Sequence, residues 1–294
     1  DLVDIEELEK SDRYFFLHQA TQVGPIFKAK GPERFWVCII GLERCRRFLQ
    51  THAKHLEGYM HDLKPMVPKG ALRKMEGEDH GKYRKALNSG IQTKRLFQDE
   101  DPLNSIVLRE LEKFATSEQA SDDPSKAFRG ALTVIATASL IKVFFGATKG
   151  VPLFDALMEG YHKLGPFGVV WNIGQTQEKA FGEIKDAVQH ALKNDHNSED
   201  GPFGNSIVGK LWAHDHFDDT LLGNLIYMVE MGRYDMAGLL RWLAKYAAGN
   251  PSFVERIANE TEEEGNSAMS FTKAFVLETL RTDKSERLTR IAQR

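Results

Sequence analysis

Between Thr220 and Ala248 the chain runs 29 residues without a proline. Proline is the residue that most reliably stops a helix, because it removes a donor and its ring clashes with the preceding turn. Read as one helix, the run spans about 43 Å at 1.5 Å per residue. It is apolar on most sides, so a helix this long has to pass through the middle of the protein. Leu221 to Leu243 also reads as the most apolar window of the chain, long enough to cross a bilayer. Yet it carries Glu230, Arg233, Asp235 and Arg241, each costing about 2.5–3.5 kcal/mol near a membrane midplane. The expectation is a buried helix in a protein soluble as given and cytoplasmic, with no membrane anchor inside the chain. The start at Asp1 rather than Met leaves open what precedes it.

The rest of the chain is organised around that helix. Residues 3 to 22 read as helical, with Leu, Ile and Phe returning at spacings of three and four. The period then changes. Two extended runs, 25–30 and 34–40, flank Gly31-Pro32-Glu33, and Phe35, Trp36, Val37 and Ile39 favour strand. A helical pattern resumes after Gly41, followed by the loop "EGYMHDLKPMVPKGA", broken by Pro65 and Pro68. From there the pattern is almost entirely helical, with breaks at Pro102, "SDDPS", Gly150-Val151-Pro152, 165–168, "NDHNSEDGPFGN", Gly249-Asn250-Pro251 and "EEEGNS". No repeat and no long linker divides it. The expected fold is mainly α and a single domain, with a small β region at 24–40 and a helical region at 41–294. With 41 % hydrophobic residues the chain can bury a sizeable core.

Charge and cysteine usage exclude some classes. The net charge is -3, and Lys and Arg are spread along the chain with no stacking aromatics between them, so no nucleic-acid partner is expected. Cys38 and Cys45 are the two cysteines. They make no C-x-x-C and no disulfide framework, which suits a reducing compartment.

Several small constellations stand out. Glu230, Arg233 and Tyr234 share a helix face by their spacing of three and four, either as an internal ion pair that fixes packing or as the lining of a cavity. His80 and Arg84 are four apart, so both can face one anionic ligand. Glu278 and Arg281 form an i, i+3 pair. "HDHFDD" at 214–219 reads as a helix N-terminus rather than a metal site. A dinuclear carboxylate bundle needs two Glu-x-x-His motifs, and only Glu159 to His162 is present. There is no G-x-S-x-G, P-loop, G-x-G-x-x-G or H-E-x-x-H.

The order of these signals resembles the cytochrome P450 superfamily. A hairpin is followed by a helix, an H-x-x-x-R helix, a long central helix, a Trp-to-Pro frame of nine and an E-x-x-R helix. Gly232, Trp242 and Pro251 match the family's Gly, Trp and Pro in and after the central helix. That frame puts Tyr234 at the family's acid position and Asp235 at its threonine position. The resemblance implies haem as cofactor, with His80, Arg84 and Arg290 toward its propionates, Gly232 beside it, and Glu278–Arg281 as the structural E-x-x-R pair. It implies a proton-delivering role for Asp235 and Tyr234. It implies a pocket from the 57–75 loop (Met60, Met66, Leu72), the 165–173 segment (Phe167, Val170, Trp171), and Met228 and Met231.

The pattern departs from the family twice. The family's axial cysteine lies in a Phe- and Gly-rich loop well after E-x-x-R, which places it beyond Arg294; neither Cys38 nor Cys45 resembles that loop, so no residue here is expected to ligate metal. The acid–alcohol pair is replaced by Tyr234-Asp235. The expected function is a monooxygenase-like haem oxidoreductase acting on a small, largely apolar molecule. Its electrons would come from a ferredoxin or reductase. The alternative is a haem-free scaffold or activator of another enzyme.

Overall fold

A computed structural model describes residues 3–4, 15–30, 35–58, 63–91, 100–117, 122–165, 174–194, 203–204, 206–212, 217–261, 270–282 and 290–292. The chain divides into two compact units. The first holds Asp1–His61, Gly168–Asn172 and Leu288–Arg294, and the second holds Asp62–Phe167 and Ile173–Arg287.

In the first unit, β1 (Val3–Asp4), β2 (Ile26–Lys30) and β3 (Phe35–Ile39) form a sheet in that order, with α1 (Phe15–Val23) between β1 and β2 in the chain. β1 runs parallel to β2, and β2 pairs antiparallel with β3 from Ile26 opposite Ile39 to Lys30 opposite Phe35. The period of two turns Phe27 and Ala29 inward. There the Phe27 ring stacks on Phe16 of α1 at 6.3 Å. The helix α2 (Leu42–His52) buries no residue. A second ribbon pairs β4 (Leu56–Gly58) with β5 (Arg290–Ala292).

Two expectations are corrected here. Of the helix read over residues 3 to 22, Phe15–Val23 is helical, Val3–Asp4 is strand, and 5–14 lie outside the described residues. A two-residue strand is held by its partners at Ala29 and Lys30 rather than by its own periodicity. Strands also lie outside 24–40, because β4 finds its partner more than two hundred residues along the chain. No local pattern carries that pairing.

The second unit is helical. In chain order it contains α3 (Gly77–Ile91), α4 (Glu100–Thr116), α5 (Pro124–Phe145), α6 (Pro152–Leu164), α7 (Gln175–Asn194), α8 (Ile207–Trp212), α9 (Asp219–Gly249), α10 (Pro251–Ala258) and α11 (Phe271–Thr282). The long helix is α9. It starts where the Asp218 side chain accepts from the Leu221 N–H at 2.9 Å, the usual way of satisfying an orphan donor. It stops at Asn250 before Pro251, which opens α10. Residues 220–226 are all buried; farther along, burial thins to Val229, Glu230, Arg233 and Ala237. So the helix runs through the core in its first half and is only part-covered in its second.

α9 packs most extensively on α5. Helix α5 carries Ile135, Ala136, Ala138 and Ile141 inward, and it ends at Gly146 with φ 70°, a left-handed cap that glycine adopts without a Cβ penalty. Among the described residues α5, not 221–243, is the helix apolar enough to cross a membrane by length and composition, with half of its most apolar window buried. The four charges between Leu221 and Leu243 account for the difference. α6 and α7 cross so closely at Gly160 that a Cβ there would lie 2.4 Å from Ile184 Cγ1. A buried amide on α9 pins the preceding loop. Asn224 Oδ1 accepts from the Leu72 N–H at 2.6 Å, and its Nδ2 donates to the carbonyls of Gly70 and Thr220.

Candidate functional site

The ionisable groups of α9 fall on different faces because helical residues advance about 100° each. Glu230 is fully buried and Arg233 is 4 % exposed. They meet as a fork: Arg233 Nε donates to Glu230 Oε2 at 2.7 Å, and Nη2 donates to Oε1 at 2.8 Å. The same Nη2 reaches the Gly165 carbonyl at 3.2 Å and the Tyr234 hydroxyl at 2.9 Å. Gly165 is the C-cap of α6, so the arginine ties the end of that helix to α9. The guanidinium lies 4.3 Å from the Tyr234 ring centre and 5.9 Å from that of Tyr161, where it faces the negative side of each ring. Tyr161, also buried, donates to the Ile226 carbonyl at 3.2 Å.

Burial dominates the electrostatics of this cluster. It pushes the Glu230 carboxyl up to about 8, against the hydrogen bonds and charge of Arg233, which pull it back. It raises Tyr161 well above the ordinary tyrosine value, with Glu230 adding to the shift, and it raises Tyr234 as well. Of the two readings of Glu230 and Arg233, the geometry shows an internal ion pair that closes its own hydrogen bonds.

Tyr234 and Asp235, adjacent in sequence, are thereby separated. Tyr234 belongs to the Arg233 cluster. Asp235 is half-buried, has an interaction of its own, and lies on the stripe that also carries Met228, Met231 and Trp242, all half-buried. Gly232 faces neither. A Cβ there would meet Leu140 of α5 at 3.4 Å, an ordinary packing contact.

His80 and Arg84 share a face of α3, the first half-buried and the second exposed. Between them, buried Tyr83 donates to Asp218 Oδ2 at 2.5 Å, joining α3 to the start of α9. Glu278 and Arg281 form a two-bond fork on α11 at 2.6 and 2.7 Å, exposed on both sides. Arg290 stands in β5 opposite Gly58, in the first unit, whereas Arg84 belongs to the second. Met66 is buried and Leu72 half-buried in the loop that Asn224 pins. Met60, Phe167, Val170 and Trp171 lie outside the described residues. Of "HDHFDD", Asp218 caps α9, and Asp219 accepts from Lys185 and Gln189.

Cys45 donates to the Ile39 carbonyl at 3.1 Å, and Cys38 sits half-buried in β3. Both belong to the first unit. No three His, Cys, Asp or Glu converge among the described residues.

Sequence reasoning did not single out Tyr161, Asn224 or Tyr83. For Tyr161 and Asn224, a polar group among apolar helical residues is a signal that could have marked them, since a buried hydroxyl or amide must find a partner; Tyr83 lies in a charged run that gives no such signal.

No model of a protein family matches this sequence, and no curated protein matches it. Solved structures do. The retinoic acid-bound cyanobacterial CYP120A1 is 19 % identical at a TM-score of 0.59, covering 92 % of this chain and 65 % of its own. A zebrafish cytochrome P450 solved with abiraterone is 14 % identical at 0.58, covering 91 % and 68 %. Cytochrome P450EX alpha with myristic acid is 11 % identical at 0.56, covering 95 % and 66 %. The chain therefore has a cytochrome P450-like fold and spans about two thirds of the length of these structures.

Proposed function

We propose that this chain is the larger part of a haem-thiolate oxidoreductase of cytochrome P450 type, soluble and cytoplasmic, acting on a small, largely apolar molecule. The observation that supports it best is the half-buried stripe of α9, where Asp235 lies among Met228, Met231 and Trp242 within a P450-like fold. Haem is the cofactor of proteins with that name, and the chain's residues fit part of what it needs. Exposed Arg84, with no ion pair among the described residues, and His80 beside it suit a propionate. Neither cysteine suits the iron: Cys45 donates to the Ile39 carbonyl, and Cys38 is half-buried within β3. The thiolate would come from sequence outside these residues.

Bound haem would supply the redox chemistry. The chain's own share is binding and proton handling. On the family resemblance, Arg84 with His80 is one candidate propionate donor and Arg290, taken by itself, another, and Glu278–Arg281 would brace α11. Met66, Leu72, Met228 and Met231 would keep water from the substrate. Asp235 would carry a proton at its carboxylate, as a desolvated acid can. Electrons would come from a ferredoxin or reductase.

A second reading is favoured by the Arg233 cluster. Tyr234, at the family's acid position, accepts a hydrogen bond from Arg233, and burial raises its pKa, so its hydroxyl gives up a proton less readily than an ordinary tyrosine. In that reading the protein is a haem-free scaffold or activator of another enzyme. One spectrum separates the two. The protein purified from its own cells, reduced and exposed to carbon monoxide, is expected to show the red-shifted band of a thiolate-ligated haem; a sample without haem would leave the scaffold reading standing.

A further inference from the structure

Met228, Met231 and Asp235 follow one another along α9 at spacings of three and four, and one turn before Met228 the same stripe begins with Asn224. Asn224 is buried, with its oxygen and both its donor hydrogens engaged. Its Oδ1 accepts from the Leu72 N–H at 2.6 Å; its Nδ2 donates to the Gly70 carbonyl at 3.3 Å and to the Thr220 carbonyl at 2.8 Å. Two of these bonds therefore go to the backbone of a loop far earlier in the chain. With no donor hydrogen left over, Asn224 acts through that loop rather than on a ligand.

The residue before it on α9 lets the loop come close. A Cβ on Gly223 would lie 3.0 Å from Val67 Cγ2, and Val67 is fully buried. Leu63, Met66 and Ala71 are buried with it, and half-buried Leu72 follows. The loop has turns of its own: the Val67 N–H donates to the Leu63 carbonyl and the Gly70 N–H to the Val67 carbonyl, both at 2.7 Å. On its other side the Lys69 ammonium meets Asp79 of α3 at 2.8 Å. Residues 63–74 are thus a folded piece seated on Gly223 and Asn224, at the head of the stripe that continues through Met228 and Met231. Its backbone bonds to Asn224 do not depend on which side chains the loop carries, so the amide fixes the loop's position and the loop supplies the surface.

We propose that Asn224, together with Gly223, is a positioning residue that sets the length of ligand the protein accepts: through the backbone of Gly70 and Leu72 it fixes the 63–74 loop as the end wall of an apolar site lying along the Met228–Met231 stripe. The proposal rests on the reading above, in which Met66, Leu72, Met228 and Met231 enclose that site. It routes nothing through haem. The amide is specifically suited to the task. A carboxylate at this place would face the Gly70 and Thr220 carbonyls with no hydrogen to give, and a methyl group would release both the Leu72 N–H and the Gly70 carbonyl.

The test is calorimetric titration of the 294-residue chain with straight-chain primary alcohols from hexanol to decanol. For wild type the affinity is expected to rise roughly four-fold with each methylene buried, and to stop rising once the alkyl chain reaches the loop. Asn224→Ala frees the loop, and Gly223→Ala pushes Val67 off α9; each is expected to carry the rise on to longer alcohols. Gly223→Ala leaves no polar group unpaired, so it reports on the wall even if Asn224→Ala fails to fold. A role in stability alone would lower the melting temperature and leave the length profile of the folded protein where it was. A variant that is folded by circular dichroism and keeps the wild-type length limit would therefore overturn the proposal while leaving the site itself standing. A wild type that binds none of the alcohols would overturn both.

Discussion

The Glu230–Arg233 pair makes a prediction whose sign is set by burial. A carboxyl titrating at about 8 in the folded chain and at its ordinary value of 4.5 when unfolded binds a proton that the unfolded chain has already released. Stability from this residue is therefore fully present below about pH 4.5 and is lost as pH rises toward 8. The loss has a slope of up to about 1.4 kcal/mol per pH unit, the energy of one unit of differential proton binding. Other groups titrate too. At Glu110 burial pushes upward, but the hydrogen bonds and charges of Lys113 and Arg109 outweigh it, so its carboxyl ends below the ordinary range and its contribution has the opposite sign. A difference measurement removes them: urea unfolding of wild type and Glu230→Gln, followed by circular dichroism across that window. Wild type minus variant should fall steadily with pH. Arg233→Met removes the groups that pull the carboxyl back, so its loss of stability should continue above pH 8, because an unpaired buried carboxylate is costlier still. A difference that stays flat from about pH 5 to about pH 8 would refute the reasoning. It would mean that the Arg233 fork, with both carboxylate oxygens accepting, outweighs burial and keeps Glu230 ionised throughout.

Three further outcomes are expected. Asn224→Ala should lower stability by about 1–3 kcal/mol for each buried group left without a partner, and amide exchange at Leu72 should speed up. Arg84→Ala and Arg290→Ala should each weaken haem retention by about 1.5–3 kcal/mol, the worth of a charge-assisted hydrogen bond; unchanged haem titrations would remove both from the cofactor's surroundings. Asp235→Asn should lower turnover by about 10²–10⁴ with substrate affinity little changed. Weakened binding with intact saturated turnover would make Asp235 a substrate contact instead, and a lower melting temperature alone would make it structural.

What could be read from the residues in order is what local physics decides. The long helix was legible because its stop signals are local: an aspartate one residue before it can cap only its first turn, and Pro251 can only begin the next one. The β2–β3 hairpin was legible from strand-favouring residues either side of Gly31-Pro32-Glu33, and the Glu230–Arg233 and Glu278–Arg281 pairs from a spacing of three. The backbone period brings such residues together whatever the rest of the chain does.

Tertiary structure decided everything that needed a second segment. Spacing showed that Arg233 can reach Glu230, but not that Gly165 at the end of α6 completes its bonds. The β4–β5 ribbon and the bonds from Asn224 to Gly70 and Leu72 likewise join distant parts of the chain. The strands β2 and β3 were visible in the sequence, but which face α1 covers was not, so the exposed Ile26, Phe35 and Val37 emerged only from the fold. Burial is a property of what lies on the other side of a residue, and one strand or helix does not contain that information.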